Sequence, residues 1–201
     1  PLMYACRDRG VKTLTLFAFS SENWHRPEAE VRALMALLSR YLRREIKQLA
    51  EDGVRVRFIG RRDRLSPRIA KLLAWSEQAT EHNTDTTLVL ALDYGGRWDV
   101  GEAASSLAHD VEAGRLRAED IDETSLSARM SLADQPTLDL CIRTGGEYRL
   151  SNFLLWQSAY AELWFTKTLW PDFTVDELDV AIDHFAGRER RYGGRPAEVQ
   201  S

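Results

Sequence analysis

The sequence predicts an α/β fold in which a parallel β-sheet is flanked by helices. Three observations predict it: short apolar, β-branched runs alternate with segments of helical periodicity, the connections between them are short, and the strands empty into loops rich in glycine and polar residues. The 201 residues, 44% of them hydrophobic, suffice for one sizeable domain or at most two small ones, and we expect a single domain over 1–201.

Leu2, Met3, Cys6 and Ala5 form a helical stripe that Gly10 can end in the left-handed region; no cap and no initiator Met precede it, so the chain reads as starting inside a helix. Thr13 to Phe19 (TLTLFAF) has the apolar content of a strand covered on both faces, and it feeds the loop SSENWHRP. From Glu28 to Asp52, Val31, Leu34, Met35, Leu38, Leu42, Ile46 and Leu49 recur three and four residues apart, which predicts a long helix with Gly53 at C′ and Pro27 at its first position. Val54 to Ile59 alternates as a strand, and a helix with Leu72, Leu73 and Trp75 follows from about Ser66 to Thr80. Thr87 to Leu92 is a strand that ends in DYGGRWD, and about Val100 to Glu112 is helix. AEDIDE is a solvated turn that opens a helix near Ser125, and Leu138 to Ile142 is a strand delivering Arg143.

Ligands of parallel sheets collect at the carboxyl ends of the strands. SSENWHRP, DYGGRWD and RTGGEYRLSN each follow a predicted strand and are expected to share one edge. With 27 Lys and Arg against 31 Asp and Glu the net charge is −4, which gives no footprint for nucleic acid or for an anionic membrane in the bulk composition, so any anion site is local. Cys6 and Cys141 sit in apolar surroundings without CxxC or a His/Cys cluster, as buried thiols of a reducing, cytoplasmic compartment do. No apolar run approaches the ~20 residues of a membrane span. The four histidines show no metal-ligand spacing.

RTGGEYRLSN carries the sharpest chemistry. Arg143 leaves a strand, Gly145 and Gly146 permit close approach, and Ser151-Asn152 reads as an N-cap for the apolar segment that follows. A helix N-terminus flanked by Arg143 and Arg149 would cradle a diphosphate, and arginine's planar fork pairs two oxygens at once. An ordinary helix cap with surface arginines fits the same letters. GxxxxGK[ST] is absent, so the loop is not a nucleotide P-loop. SSENWHRP supplies polar side chains but also reads as a capped helix start, and DYGGRWD reads first as scaffold.

Taken together the motifs resemble the cis-prenyltransferases, and among them the undecaprenyl diphosphate synthases. The match is collinear from GVKTLTLFAFSSENWHRP through DYGGRWD, DLCIRTGGEYRLSNFLLWQSAYAEL and LWPDF to RERRYGG, nearly the whole chain. The resemblance implies an α/β homodimer that adds isopentenyl diphosphate repeatedly to an allylic diphosphate, commonly farnesyl diphosphate, with Mg²⁺. The product would be a long Z-polyprenyl diphosphate such as undecaprenyl diphosphate, precursor of the lipid carrier for cell-wall glycans. Arg143, Arg149 and Ser151 then match the isopentenyl diphosphate site, with Leu150 beside them as a substrate contact. Asn23 matches a residue of proton removal or orientation, Ser20, Ser21, Glu22, Trp24 and Arg26 match substrate contacts, and Glu162 matches a metal-site carboxylate. Arg191 and Gly193 match a tail that reaches the neighbouring subunit's site, and contact with a membrane surface would serve product release. The long helix would line a tunnel for the growing chain with Leu34, Leu38 and Leu42, while Leu88 and Leu90 read as tunnel floor or ordinary core.

The family's MDGNGRWA segment, with its first strand and Mg²⁺-binding Asp, has no counterpart here. We expect it to belong to a longer parent and the 201 residues alone to elongate no prenyl chain. Tyr148 stands where the family commonly has a metal-site His, and a neutral phenol is a poor Mg²⁺ ligand. Asp93 replaces the usual Asn. All-helical trans-prenyltransferases carry DDxxD motifs that do not occur here; a catalytically silent partner subunit and a generic phosphosugar-binding protein are the remaining alternatives.

Overall fold

The computed structural model describes residues 2–187; Arg191 and Gly193, with the tail they were assigned, lie outside the described residues. The elements run α1 (Leu2–Asp8), β1 (Thr13–Ser20), α2 (Glu28–Glu51), β2 (Val54–Ile59), α3 (Pro67–Ala79), β3 (Thr86–Tyr94), α4 (Gly96–Glu112), α5 (Glu123–Ser127), β4 (Leu140–Arg143), β5 (Glu162–Phe165) and α6 (Val175–Ala186). The chain forms two compact units. One comprises Met3–Pro136 with Asn152–Leu154, and the other takes in Leu2, Thr137–Ser151 and the described residues from Leu155 on.

The larger unit is built on a three-stranded parallel sheet of order β1-β3-β2. Central β3 is buried along almost its whole length, Thr86 to Tyr94. Edge strand β1 departs from expectation: only Phe19 is buried, the other residues are partly or fully exposed, and the register shifts twice, between Phe17 and Phe19 and between Phe19 and Ser20. An edge strand has a neighbour on one side only, so its apolar content does not translate into full cover. β2 alternates as its sequence does, burying Val54, Val56 and Phe58.

α2 lays Val31, Met35, Leu42, Ile46 and Leu49 on the core, the three-and-four spacing of its sequence made structure. Leu34 and Leu38 pack against the same cluster from its margin, and Leu88 and Leu90 are ordinary core. The helix begins at Glu28 with Pro27 as its N-cap rather than its first residue, and Gly53 stands beyond its end at φ 76°. Ser66 caps α3 by accepting from the Ile69 amide (3.4 Å), and buried Thr80 beyond its end accepts the Val56 amide of β2 (2.9 Å).

In the smaller unit β4 and β5 pair in parallel, Leu140 opposite Glu162 and Arg143 opposite Phe165. β5 has no counterpart among the strands read from the sequence. α6 opens with a reciprocal cap, Thr174 and Glu177 exchanging backbone-to-side-chain bonds of 3.1 and 3.3 Å. The Thr168 hydroxyl also donates to Glu177 (2.5 Å); this bond, first among several, holds the Glu177 carboxyl below its usual range. No helix among the described residues is long and apolar enough to cross a membrane.

Candidate active site

In the larger unit two of the three motif loops leave the same sheet edge. Ser20, last residue of β1, is the ladder partner of Tyr94, last residue of β3. Ser21 to His25 then turns as a short 3-10 helix, fixed by the Ser20 amide donating to Asn23 Oδ1 (2.9 Å). Facing it is the chain after β3, where Gly95 is required for proximity: a Cβ there would stand 2.6 Å from Asn152 Nδ2 and 2.7 Å from Ser21 Oγ.

Asn152 ties the two loops. Its carbonyl accepts the Gly96 amide (2.6 Å), its Oδ1 accepts the Arg97 amide (2.9 Å), and its Nδ2 donates to Glu22 Oε1 (2.7 Å). The amides of Gly96 and Arg97 open α4, so Asn152 acts as that helix's cap supplied from a distant part of the sequence. Burial pushes the Glu22 carboxyl up, but bonds from Asn152, its own backbone, Ser20 and Ser21 outweigh burial and hold it below its usual range.

Trp24 is partly buried, edge-on to Phe19 at 5.2 Å between centroids, and its Nε1 is buried without a hydrogen-bond partner. Above its ring, 5.5 Å from the centroid, lies the guanidinium of Arg64, which grips Asp93 through both carboxylate oxygens, Nε to Oδ2 at 2.8 Å. Asp93 is fully buried at φ 49°, a left-handed conformation that Asp tolerates. The Asp93 carboxylate is therefore paired, and its partner Arg64 lies over the Trp24 ring. Arg26 is an exposed residue paired with Glu30 of α2 (2.5 Å). Tyr94 and Asp99 of DYGGRWD are scaffold, as read: the buried Tyr94 hydroxyl donates to Asp99 (2.8 Å), and Asp99 accepts the Ser131 amide (2.9 Å) and hydroxyl (2.8 Å).

The third motif, apart from its last residue Asn152, belongs to the smaller unit and follows β4 of the two-stranded sheet, so the expectation of one sheet carrying all three loops is corrected. Gly145 and Gly146 adopt φ 86° and 74°, and their amides donate to Thr168 (2.8 Å) and Thr166 (2.9 Å). Those bonds leave neither amide free for a ligand. Arg143 Nε is buried and without a hydrogen-bond partner among the described residues. Arg149 is exposed and paired with Glu147, and Tyr148, 69% exposed, leans on Phe165 at 5.4 Å. Leu150 is half-buried and Ser151 exposed.

The apolar helix expected after Ser151-Asn152 does not form, and with it goes the helix N-terminus as diphosphate cradle. Residues 151–160 run as successive turns in which Ser151, Asn152 and Leu154 take φ of 48°, 64° and 43°. Three left-handed residues within four break an i to i−4 ladder, and the Asn152 carbonyl that would serve it goes to Gly96 instead. Glu162 opens β5, half-buried opposite Leu140, while Arg143 closes β4. Three residues of ladder put them about 10 Å apart along the strand direction, so the carboxylate and that arginine occupy opposite ends of the small sheet. As a metal ligand Glu162 fits one role, a single carboxylate for an ion whose other ligands are substrate phosphates, which is the Mg²⁺ habit. No cluster of three His, Cys, Asp or Glu able to hold a metal occurs among the described residues.

Sequence reasoning missed Arg64 and the triple role of Asn152. For Arg64 no local signal existed, since its partner lies 29 positions away. For Asn152 the signal was its high left-handed and capping propensity, which was read as a cap on its own helix.

Residues 1–193 match the family model described as putative undecaprenyl diphosphate synthase. Two relatives carry the name ditrans,polycis-undecaprenyl-diphosphate synthase ((2E,6E)-farnesyl-diphosphate specific). That of Xanthomonas axonopodis pv. citri (strain 306) is 54% identical over 194 residues, 96% of this chain and 76% of its own. That of Acinetobacter baylyi is 48% identical over 200 residues, covering 100% and 80%. Among solved structures, lavandulyl diphosphate synthase from Lavandula x intermedia in complex with dimethylallyl diphosphate superposes with a TM-score of 0.90 at 35% identity, covering 95% of this chain and 83% of that one. A probable undecaprenyl diphosphate synthase from Campylobacter jejuni gives 0.85 at 36%, covering 96% and 88%. With a family match along nearly its whole length and relatives at about half identity, this chain belongs to the undecaprenyl diphosphate synthase family of prenyltransferases.

Proposed function

We propose that this protein condenses isopentenyl diphosphate repeatedly with an allylic diphosphate, farnesyl diphosphate as in the names of its relatives, to build a long Z-polyprenyl diphosphate such as undecaprenyl diphosphate. It does so as a homodimer of single-domain chains in the cytoplasm, where the free thiols of Cys6 and Cys141 remain reduced. The observation that carries the reading is the buried, unpartnered Nε of Arg143 beside a double-glycine turn. A buried donor without a partner is costly, and a diphosphate oxygen satisfies it with a charge-assisted bond.

Arg143 and Arg149 hold the isopentenyl diphosphate, Ser151 adds a hydroxyl and Leu150 an apolar contact. Ser20, Ser21, Glu22 and Arg26 contact substrate, and Trp24 keeps water from the allylic cation as the C–O bond ionises. Prearranged cations on the departing diphosphate lower that barrier, because negative charge grows there in the transition state. Asn23 orients rather than abstracts: a carboxamide oxygen is a feeble base, and here it already accepts the Ser20 amide, which leaves Nδ2 to donate. Mg²⁺, held by Glu162 and substrate oxygens, would supply Lewis-acid stabilisation of the diphosphate; Tyr148 is no ligand.

The test is steady-state incorporation of radiolabelled isopentenyl diphosphate by the full-length protein. Arg149→Ala loses charge-assisted bonds of roughly 3 kcal/mol, about two decades in kcat/KM for isopentenyl diphosphate. Near-normal kinetics in that variant would remove the assignment.

A further inference from the structure

Many arginines of this protein are spent on carboxylates: Arg26 on Glu30, Arg62 on Glu77, Arg64 on Asp93, Arg115 and Arg129 on Asp110. One face departs from that pattern. Arg40, Arg43 and Lys47 of α2, and Arg68 and Lys71 of α3, are exposed, and no ion pair or hydrogen bond among the described residues engages their side chains. Arg40, Arg43 and Lys47 recur at helical spacing on one side of α2, as Arg68, Lys71, Leu72 and Trp75 do on α3. The two rows meet: Arg43, Pro67, Arg68, Lys71 and Leu72 line an open groove of about 520 Å³ between the helices. Trp75, 41% exposed, continues the α3 row.

The charge is concentrated against the trend of the molecule. Leu37–Gln48 and Pro67–Trp75 hold six basic residues and one acid, Glu45, itself paired with Arg44 at 2.5 Å, in a chain whose net charge is −4. Leaving five cations unpaired side by side costs repulsion that a monomer in water gains nothing from.

We propose that this α2–α3 face docks on the surface of an anionic phospholipid bilayer, its cations against lipid phosphates and Trp75 at headgroup level. Three features select that occupant. The charge is complementary to anionic headgroups, and an interfacial helix surface combines Lys and Arg with an aromatic ring in this way. A second copy of the chain joined through the same face would set like charges against each other. Two exposed rings on these segments, Tyr41 on α2 and Trp75 on α3, offer no succession of stacking platforms for a nucleic-acid strand. Docking here would set a prenyltransferase against the only phase in which a long polyprenyl tail dissolves. The inference rests on charge and exposure and not on the proposed reaction, so it is tested without substrate.

The experiment is co-sedimentation of the full-length protein with vesicles of phosphatidylglycerol and phosphatidylethanolamine, and with vesicles of phosphatidylcholine. We expect binding to the first and not the second, weakened by salt as electrostatic attraction is. The triple variant Arg43→Gln, Arg68→Gln, Lys71→Gln should bind anionic vesicles roughly a hundredfold more weakly, about fivefold for each cation removed. Trp75→Phe should remove the blue shift in tryptophan fluorescence that vesicles induce in the wild type. These side chains are exposed, so unchanged far-UV circular dichroism and unchanged turnover in detergent will show that fold and active site are intact. Equal binding to both vesicle types, or undiminished binding by the triple variant, overturns the proposal. So does a wild type that ignores vesicles while binding inorganic diphosphate or duplex RNA through the same three residues.

Discussion

The loop after β1 and the loop after β4 both present polar groups beyond the carboxyl end of a parallel strand, and they are held in opposite ways. The first is held largely by the protein itself, the buried Trp24 Nε1 excepted: Asn23 holds the Ser20 amide, Asn152 bonds three partners, and Arg64 lies between Asp93 and Trp24. The second keeps an arginine nitrogen buried without a partner, two left-handed glycines and, just beyond, a left-handed Ser151. The difference teaches where binding energy is stored. A loop whose charged groups are paired before ligand arrives contributes geometry, even with one neutral indole N–H unmet; a loop with an unmet guanidinium donor contributes affinity when an anion meets it.

The largest effect should come from Arg143→Met, which keeps the stem and removes the donor. If the unmet Nε exists for a diphosphate, kcat/KM for isopentenyl diphosphate falls by about two decades, the equivalent of roughly 3 kcal/mol. The midpoint of thermal unfolding should hold or rise, because a buried unsatisfied donor has gone. A fall in stability with kinetics preserved would make Arg143 a structural residue and erase the contrast between the loops.

Next in size is the clamp on the first loop. Arg64→Met strands the fully buried Asp93 carboxylate, whereas Asp93→Asn strands a guanidinium that is already 37% exposed and can turn to water. Removing one partner of a buried pair costs up to 3–5 kcal/mol; with one end near the surface we expect about 2 kcal/mol for Arg64→Met and about 1 for Asp93→Asn. Equal losses in denaturant unfolding would show that the carboxylate is no more dependent on the pair than the arginine. Because Arg64 also covers Trp24, its loss should raise KM for the allylic substrate more than for isopentenyl diphosphate, a split that a purely structural pair would not produce.

This asymmetry also explains what could be read in the sequence. α2, β2 and α3 were legible because their apolar spacing alone fixes which face is buried, and Gly53 and Ser66 mark ends by local rules. Arg143, Gly145 and Gly146 were legible because strand, turn and cation adjoin in the sequence. The turns at 151–160 were not: apolar residues in number suggest a helix, and only contacts from far along the chain reveal that Asn152 gives its bonds to Gly96, Arg97 and Glu22. The pairing of Asp93 with Arg64 was invisible for the same reason, and the cover of β1 was overestimated because strand composition does not say whether a neighbour lies on both sides.

The smallest effect tests the preset loop through one hydrogen bond. Glu22 has its folded value below the ordinary carboxylate range, so its contribution to stability is present above the unfolded value, near 4.3, and is lost as pH falls through the lower folded value. Asn152→Ala removes the 2.7 Å bond that favours the charged form, along with the cap on Arg97. The Glu22 carboxyl should then titrate at higher pH, and the acid limb of the stability profile should move up with it, by an amount small beside the loss of about 1 kcal/mol expected for the cap itself. Carbon-13 NMR of the Glu22 carboxylate reads the first and thermal unfolding across pH the second. A Glu22 titration unmoved by the substitution would mean that Ser20, Ser21 and the backbone set the carboxylate without Asn152, and that the loop is prearranged by its own short turn rather than by the strand-to-helix junction it faces.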